Sequence, residues 1–168
     1  MGANDFAKLP HIGESLKRKE DERFLTGNGQ YTDDITQAKQ KYAVFVRSPH
    51  AHAVIKSVDI AEASEMPGVV KIFTGKDMEG KMGGLPCGWL INNPDGSPMK
   101  EPPHPILAHS KVRYVGDHVA MVVADTLQQA KDAAEKVGVD DEVLGPVIDM
   151  RTAKNGPALH DEAPDNHC

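Results

Sequence analysis

The stretch HVAMVVADTLQQAKDAAEKVGVDDEV, residues 118–143, decides the fold. Val119, Met121 and Val123 alternate with Ala120, Val122 and Ala124. Both faces of this strand are apolar, which predicts a central strand covered on both sides. Thr126 with Gln129 three residues later forms a capping box, the mark of a helix start. Leu127, Ala130, Ala134 and Val137 line one stripe at helical spacing, and Gly138 closes it. The spacing predicts the main helix over residues 126–137. Val139 to Val143 reads as the last strand.

The same reasoning extends upstream. Residues 42–47 alternate, with Tyr42, Val44 and Val46 on one face and Ala43, Phe45 and Arg47 on the other. That is a strand. Pro49 breaks it, because proline restricts Ser48 and donates nothing to a ladder. A second strand runs over about 53–59, then a helical turn over 61–65. Pro67-Gly68 is a turn, Val69 to Phe73 a third strand, and Thr74 caps a short helical turn over 75–78. Val112 to Val115 reads as a short strand before a turn at Gly116-Asp117. Few helices among several strands make an α+β domain over residues 41–150. An extended segment, residues 1–40, precedes it, and a polar tail, residues 151–168, follows.

Residues 79–105 break the pattern, crowded with glycines and prolines. A long irregular loop in a small domain is a functional or docking loop, or disorder. Trp89-Leu90-Ile91 in its middle predicts burial against something, and Trp89 reads equally as an interface anchor or as ordinary packing. In the first segment, residues 17–23 mix both charge signs and read as a solvated surface. Gly27-Asn28-Gly29 is a turn before a short strand. It is not a phosphate loop, since no Lys-Ser/Thr follows.

Composition excludes several classes. The chain has 168 residues, 39% hydrophobic and 26% charged, which rules out a collagen, a coiled coil or a mostly disordered chain. Nineteen basic against 25 acidic residues leave a net charge of −6, and only four Phe, three Tyr and one Trp are present. Neither a basic face nor a stacking platform is implied, so nucleic acid is not an expected partner. The longest apolar run, Val119 to Ala124, is far too short to span a membrane, and the N-terminus lacks a signal-peptide pattern. Two cysteines, Cys87 and Cys168, make no disulfide framework and no Cys-x-x-Cys. A reduced, cytoplasmic setting is expected.

The chemistry-bearing residues stand singly or in short runs along the chain. His50 and His52 could ligate zinc or copper from one side of a strand, but two further ligands are missing nearby. Turn and backbone hydrogen bonds beside Pro49 are the competing reading. His104, His109, His118, His160 and His167 are scattered without metal spacing, and His11 reads as a surface residue. Cys87 has neither a base nor a helix start beside it to make a thiolate, so a partly buried loop thiol is expected. Asp140-Asp141-Glu142 sits on a strand, where successive carboxylates point to opposite faces and chelate poorly; it reads as a solvated edge, and so does Asp33-Asp34. The residues describe a soluble α+β domain without a self-contained active site.

Five stretches, in order, resemble one family. They are IGESLKRKEDERFLTGNGQYTDDI (12–35), FVRSPHAHAVIKSVD (45–59), PGVVKIFTGKDM (67–78), KVRYVGDHVAMVVADTLQQAKDAAEKV (111–137) and LHDEAPDN (159–166). Together they are similar to the start of the large subunit of aerobic-type carbon monoxide dehydrogenases. These belong with xanthine dehydrogenase and aldehyde oxidase among the molybdenum hydroxylases. The resemblance implies an α/β hammerhead domain with a mixed sheet. It implies a large subunit holding molybdopterin, often as the cytosine dinucleotide, a small subunit with [2Fe–2S] clusters and a medium subunit with FAD. It implies that cofactor contacts and catalytic residues lie in later domains, so no catalytic, cofactor-binding or metal residue is assigned here. Met1 stands where such subunits commonly begin, and Cys168 where they would run on. The runner-up expectation is a free-standing assembly module with the same fold.

Overall fold

The computed structural model describes residues 13–167; His11 and Cys168 lie outside them. The elements, in chain order, are α1 (Asp21–Leu25), β1 (Tyr42–Arg47), β2 (Ala53–Asp59), α2 (Ala61–Ser64), β3 (Val69–Thr74), α3 (Gly75–Met78), β4 (Lys111–Val112), β5 (His118–Ala124), α4 (Leu127–Ala134) and β6 (Gly138–Val143). The chain divides into two compact units, one up to Gln40 and one from Lys41 onward.

In the first unit the charged run is exposed, as expected, and carries the one-turn helix α1. The strand expected after Gly27-Asn28-Gly29 is instead a 3-10 turn, Thr32–Asp34. The Asp34 carboxylate accepts the Tyr31 N–H at 2.9 Å, which curls the chain before a ladder can form. Asp33 and Asp34 are exposed.

In the second unit the strands make two sheets rather than one mixed sheet. Their orders are β1-β5-β3 and β4-β2-β6, and every pairing is antiparallel. β1 and β3 run the same way, and side by side they would have made a parallel pair. β5 inserts between them and pairs antiparallel with both, placing Val122 opposite Val44 on one side and Ile72 on the other. The centrality of β5 is thus borne out, and its two faces serve different cores. Ala120 and Val122 pack with Ala63, Ile72, Ala133 and Val137. Val119, of opposite parity, packs with Ala53, Ile55, Ala108 and Val112. Met121 and Val123 are only half-buried, so the second face is covered mainly at its start.

The Thr126 capping box forms: the Gln129 N–H donates to Thr126 Oγ1 at 3.2 Å, and the Thr126 N–H to Gln129 Oε1 at 3.1 Å. Thr74 and Asp77 form the same device on α3. α4 ends earlier than expected, at Ala134. Beyond it the Lys136 and Val137 amides turn back to Ala133 and Ala134, tightening the last turn to the 3-10 spacing. The buried stripe is Ala130, Ala133 and Val137, while Leu127 is exposed. Alanines at this contact let the helix lie close to the sheet.

β4 is shorter than the strand expected over 112–115. Asp117, itself buried, takes the Arg113 N–H at 3.1 Å and so ends the ladder. Its own carbonyl accepts the Ser48 N–H at 2.9 Å, and the Ser48 carbonyl accepts the Gly116 N–H at 2.8 Å. The break at Pro49 is thereby locked to the Gly116-Asp117 turn.

Candidate functional site

The span 79–105 is neither a free loop nor disordered. Its middle, residues 84–104, is an irregular two-armed ribbon with no regular strand and a single antiparallel bridge between Asn92 and Pro98. The Leu85 N–H donates to the His104 carbonyl at 2.8 Å, Cys87 N–H to Glu101 Oε1 at 2.9 Å, and Met99 N–H to the Ile91 carbonyl at 3.1 Å. Gly84 lies against His104 so closely that a Cβ there would sit 2.7 Å from its carbonyl oxygen. The tip is Asn93-Pro94-Asp95-Gly96, closed by Asn93 N–H to Ser97 O at 2.8 Å, with Gly96 at φ +84°. Asn-Pro-Asp-Gly is a strong turn signal, and it was legible in the sequence. Trp89, Leu90 and Ile91 are 80%, 65% and 57% exposed, so none of the described residues buries them. Cys87 is exposed too, not partly buried, with its Sγ 3.3 Å from the Trp89 carbonyl.

At the root of the ribbon lies a groove of about 290 Å³ walled by Pro102, Pro103 and Pro105. His104, Arg113, Tyr114, Asp117 and His160 supply its polar groups. The sequence scatters these residues; the fold gathers them. His104 Nε2 is 3.4 Å from the Tyr114 hydroxyl. Arg113 Nε donates to the Leu159 carbonyl at 3.0 Å, tying the following segment to β4. That segment is knit by Asn166, which accepts the Leu159 N–H and donates to the Ala153 and Pro157 carbonyls, each at 2.9 Å. His160 Nδ1 is buried without a partner. Burial, then the Arg113 charge, holds the His160 ring below the ordinary imidazole value. Burial, then Arg47, does the same to His118, which stacks on Phe45 with centroids 4.4 Å apart. Burial, then Asp117, pushes the Tyr114 phenol up.

These shifts set an acid response. The unfolded chain takes up protons at His118 and His160 near the ordinary value, about 6.5, while the folded chain takes them up only at lower pH. Stability from both rings is therefore complete above about pH 6.5 and falls as pH drops through their folded values. The urea midpoint is expected to be lower at about pH 5.5 than at about pH 7.5, and the double variant His118→Gln/His160→Gln to flatten that difference. An identical pH dependence in the variant would contradict it.

The remaining candidates settle individually. The His50 N–H donates to Ser48 Oγ at 3.1 Å, and His52 Nδ1 lies 3.2 Å from the Gly145 carbonyl, the turn and backbone bonds expected beside Pro49. The acidic strand is not a uniformly solvated edge. Asp140 and Glu142 point outward, but Asp141 turns inward, its carboxylate 3.8 Å from His50 Nε2. The period-two alternation of β6 decides which carboxylate is covered. Among the described residues no three His, Cys, Asp or Glu side chains lie together as a metal site. What the groove and ribbon offer chemically is apolar contact and hydrogen bonding, with Arg113 and Asp117 as the charged groups of the groove.

A family profile for the a/b hammerhead domain of aldehyde oxidase and xanthine dehydrogenase matches residues 26–144. The chain belongs to this family. The hammerhead domain is 42% identical over 156 residues to the nicotine 6-hydroxylase large subunit of Paenarthrobacter nicotinovorans, covering 92% of this chain and 18% of that one. It is 35% identical over 160 residues to the carbon monoxide dehydrogenase large chain of Afipia carboxidovorans, covering 94% and 18%. The solved structure of quinoline 2-oxidoreductase from Pseudomonas putida 86 superposes with a TM-score of 0.76 at 36% identity, covering 88% and 18%. The hammerhead chain thus spans less than a fifth of the length of the relatives it matches. The hammerhead fold that the resemblance implied is the fold found, with two antiparallel sheets in place of the mixed sheet.

Proposed function

We propose that this hammerhead domain is part of the large, molybdenum-cofactor-binding subunit of a molybdenum hydroxylase of the carbon monoxide dehydrogenase or aldehyde/xanthine oxidoreductase type. Its role is structural and assembly-directing, and it carries no catalytic, cofactor-binding or metal residue of its own. The supporting observation is the match of nearly the whole chain to less than a fifth of proteins named as large subunits. Domains run as 1–40, the N-terminal segment; 41–150, the hammerhead with its 79–105 loop; and 151–168, leading toward cofactor-binding domains. Molybdopterin, as its cytosine dinucleotide, belongs to the completed large subunit, and [2Fe–2S] clusters and FAD to small and medium partner subunits. The setting is cytoplasmic, and among the described residues no helix is long and apolar enough to cross a membrane.

The residues of this chain do not fit those groups. Two cysteines fall short of the ligand set an iron–sulfur cluster takes. No metal-ligand cluster exists among the described residues, and the groove walls are prolines rather than a cradle of backbone amides. Substrate choice also lies elsewhere. Relatives named for nicotine, hypoxanthine and carbon monoxide share this domain at 42%, 33% and 35% identity. A domain common to such different substrates is scaffold, since sites rather than folds decide chemistry.

Affinity purification of the tagged chain from its own host, followed by molybdenum, iron and flavin analysis, tests this reading. Molybdenum, iron and flavin are expected to co-purify. A clean, metal-free chain overturns it and leaves the free-standing assembly module.

A further inference from the structure

We propose that the 84–104 ribbon is a preformed docking arm, and that the polypeptide completing the large subunit covers its Trp89-Leu90-Ile91 stretch. This rests on the functional reading above and names the partner of one surface. The arm is ordered before it docks: the Asn93-Pro94-Asp95-Gly96 turn is pinned by Asp95, which accepts the Ser97 N–H at 2.9 Å and its hydroxyl at 2.6 Å. A two-armed ribbon holding a tryptophan in water is marginal alone and calls for a cover. Preorganisation lowers the entropy lost on docking.

The chemistry of the arm selects the cover. From Leu85 to Pro94 the sequence holds no charged residue. An uncharged apolar strip fits the interior-like face of another protein domain, not an anionic membrane surface or a nucleic acid. The position of the arm selects which protein. Lys100, on the returning half of the ribbon, pairs with Asp165 at 2.8 Å. The chain around Asp165 is thereby held at the root of the arm, so polypeptide following it emerges beside the apolar strip. In the relatives, more than four-fifths of the length lies outside the matched region. A groove of about 260 Å³ runs along the arm root, lined by Leu85, Cys87, Met99 and Pro102 with Lys100, Glu101 and His104 at its side. It places the Cys87 thiol beside the apolar strip, as a reporter of the contact.

The test uses the molybdenum-containing assembly obtained as above. Cys87 alkylation by iodoacetamide, read at its own peptide by mass spectrometry, is expected to slow by about tenfold or more relative to the chain alone. A photo-crosslinking residue at Ser97 is expected to link to large-subunit peptides. Trp89→Ser is expected to cut co-purified molybdenum by about tenfold while leaving the melting temperature of the isolated chain unchanged, because Trp89 belongs to neither core. Molybdenum present with Cys87 freely alkylated overturns the docking arm alone. So does a Ser97 link to an iron–sulfur subunit, a flavin subunit or a second copy of this chain. Absence of molybdenum overturns the functional reading and, with it, the partner named here.

Discussion

Val122→Asp is expected to destabilise the domain severely and to lower its melting temperature by roughly 10 °C or more. Val122 is 0% exposed, at the centre of β5, with β1 and β3 hydrogen-bonded on either side. Its neighbours in the core are Ala63, Ile72, Ala120, Ala133 and Val137, none of which can pair a carboxylate. An unpaired charge there must neutralise, drag in water or unfold the sheet, at a cost of about 4 kcal/mol or more. Domains of this size are stable by only about 5–15 kcal/mol, so the variant keeps little margin. Circular dichroism melts measure the drop. Val70→Asp, on an exposed position of β3, is the control and should shift the melt little. Equal melts for Val122→Asp and the parent would mean that α4 does not cover this face.

Gly75→Ala is the second large effect, from a single methyl group. Gly75 begins α3 and is buried. A Cβ there would stand 2.5 Å from the Ala108 carbonyl oxygen and 2.6 Å from His109 Cβ. Ala108 has no room to retreat, being 1% exposed and held by its N–H to the His118 carbonyl at 2.7 Å. The overpacking forces α3 away from residues 108–109 and costs about 1–3 kcal/mol. Gly83→Ala separates this clash from a generic glycine effect, since nothing lies within 4 Å of its Cβ and its backbone is not left-handed. Urea midpoints should fall for Gly75→Ala and hold for Gly83→Ala. Coincident midpoints would show that the 108–109 backbone yields.

Both predictions rest on packing, and packing is where sequence and structure part. The Thr126–Gln129 and Thr74–Asp77 boxes were readable because a cap involves residues three apart. The alternation of Tyr42, Val44 and Val46 was readable because a strand shows its period within a few residues. The Asn-Pro-Asp-Gly turn is equally local, but the surrounding glycines and prolines mask the arms it joins. The polar groove was not readable at all. His104 and His160 share it only because Arg113 ties the segment around Leu159 back to β4.

The sequence by itself determined the local devices: which residues begin helices, which run extended, where Pro49 and Gly138 interrupt, and to which family the motifs belong. Only the tertiary structure decided that β5 stands between β1 and β3, that Asp141 rather than Asp140 is covered, and that Trp89 stays exposed. The reason is range. Periodicity, capping and turn chemistry act across a few bonded residues, whereas strand order and burial depend on which distant surfaces meet, and no single segment encodes its partner.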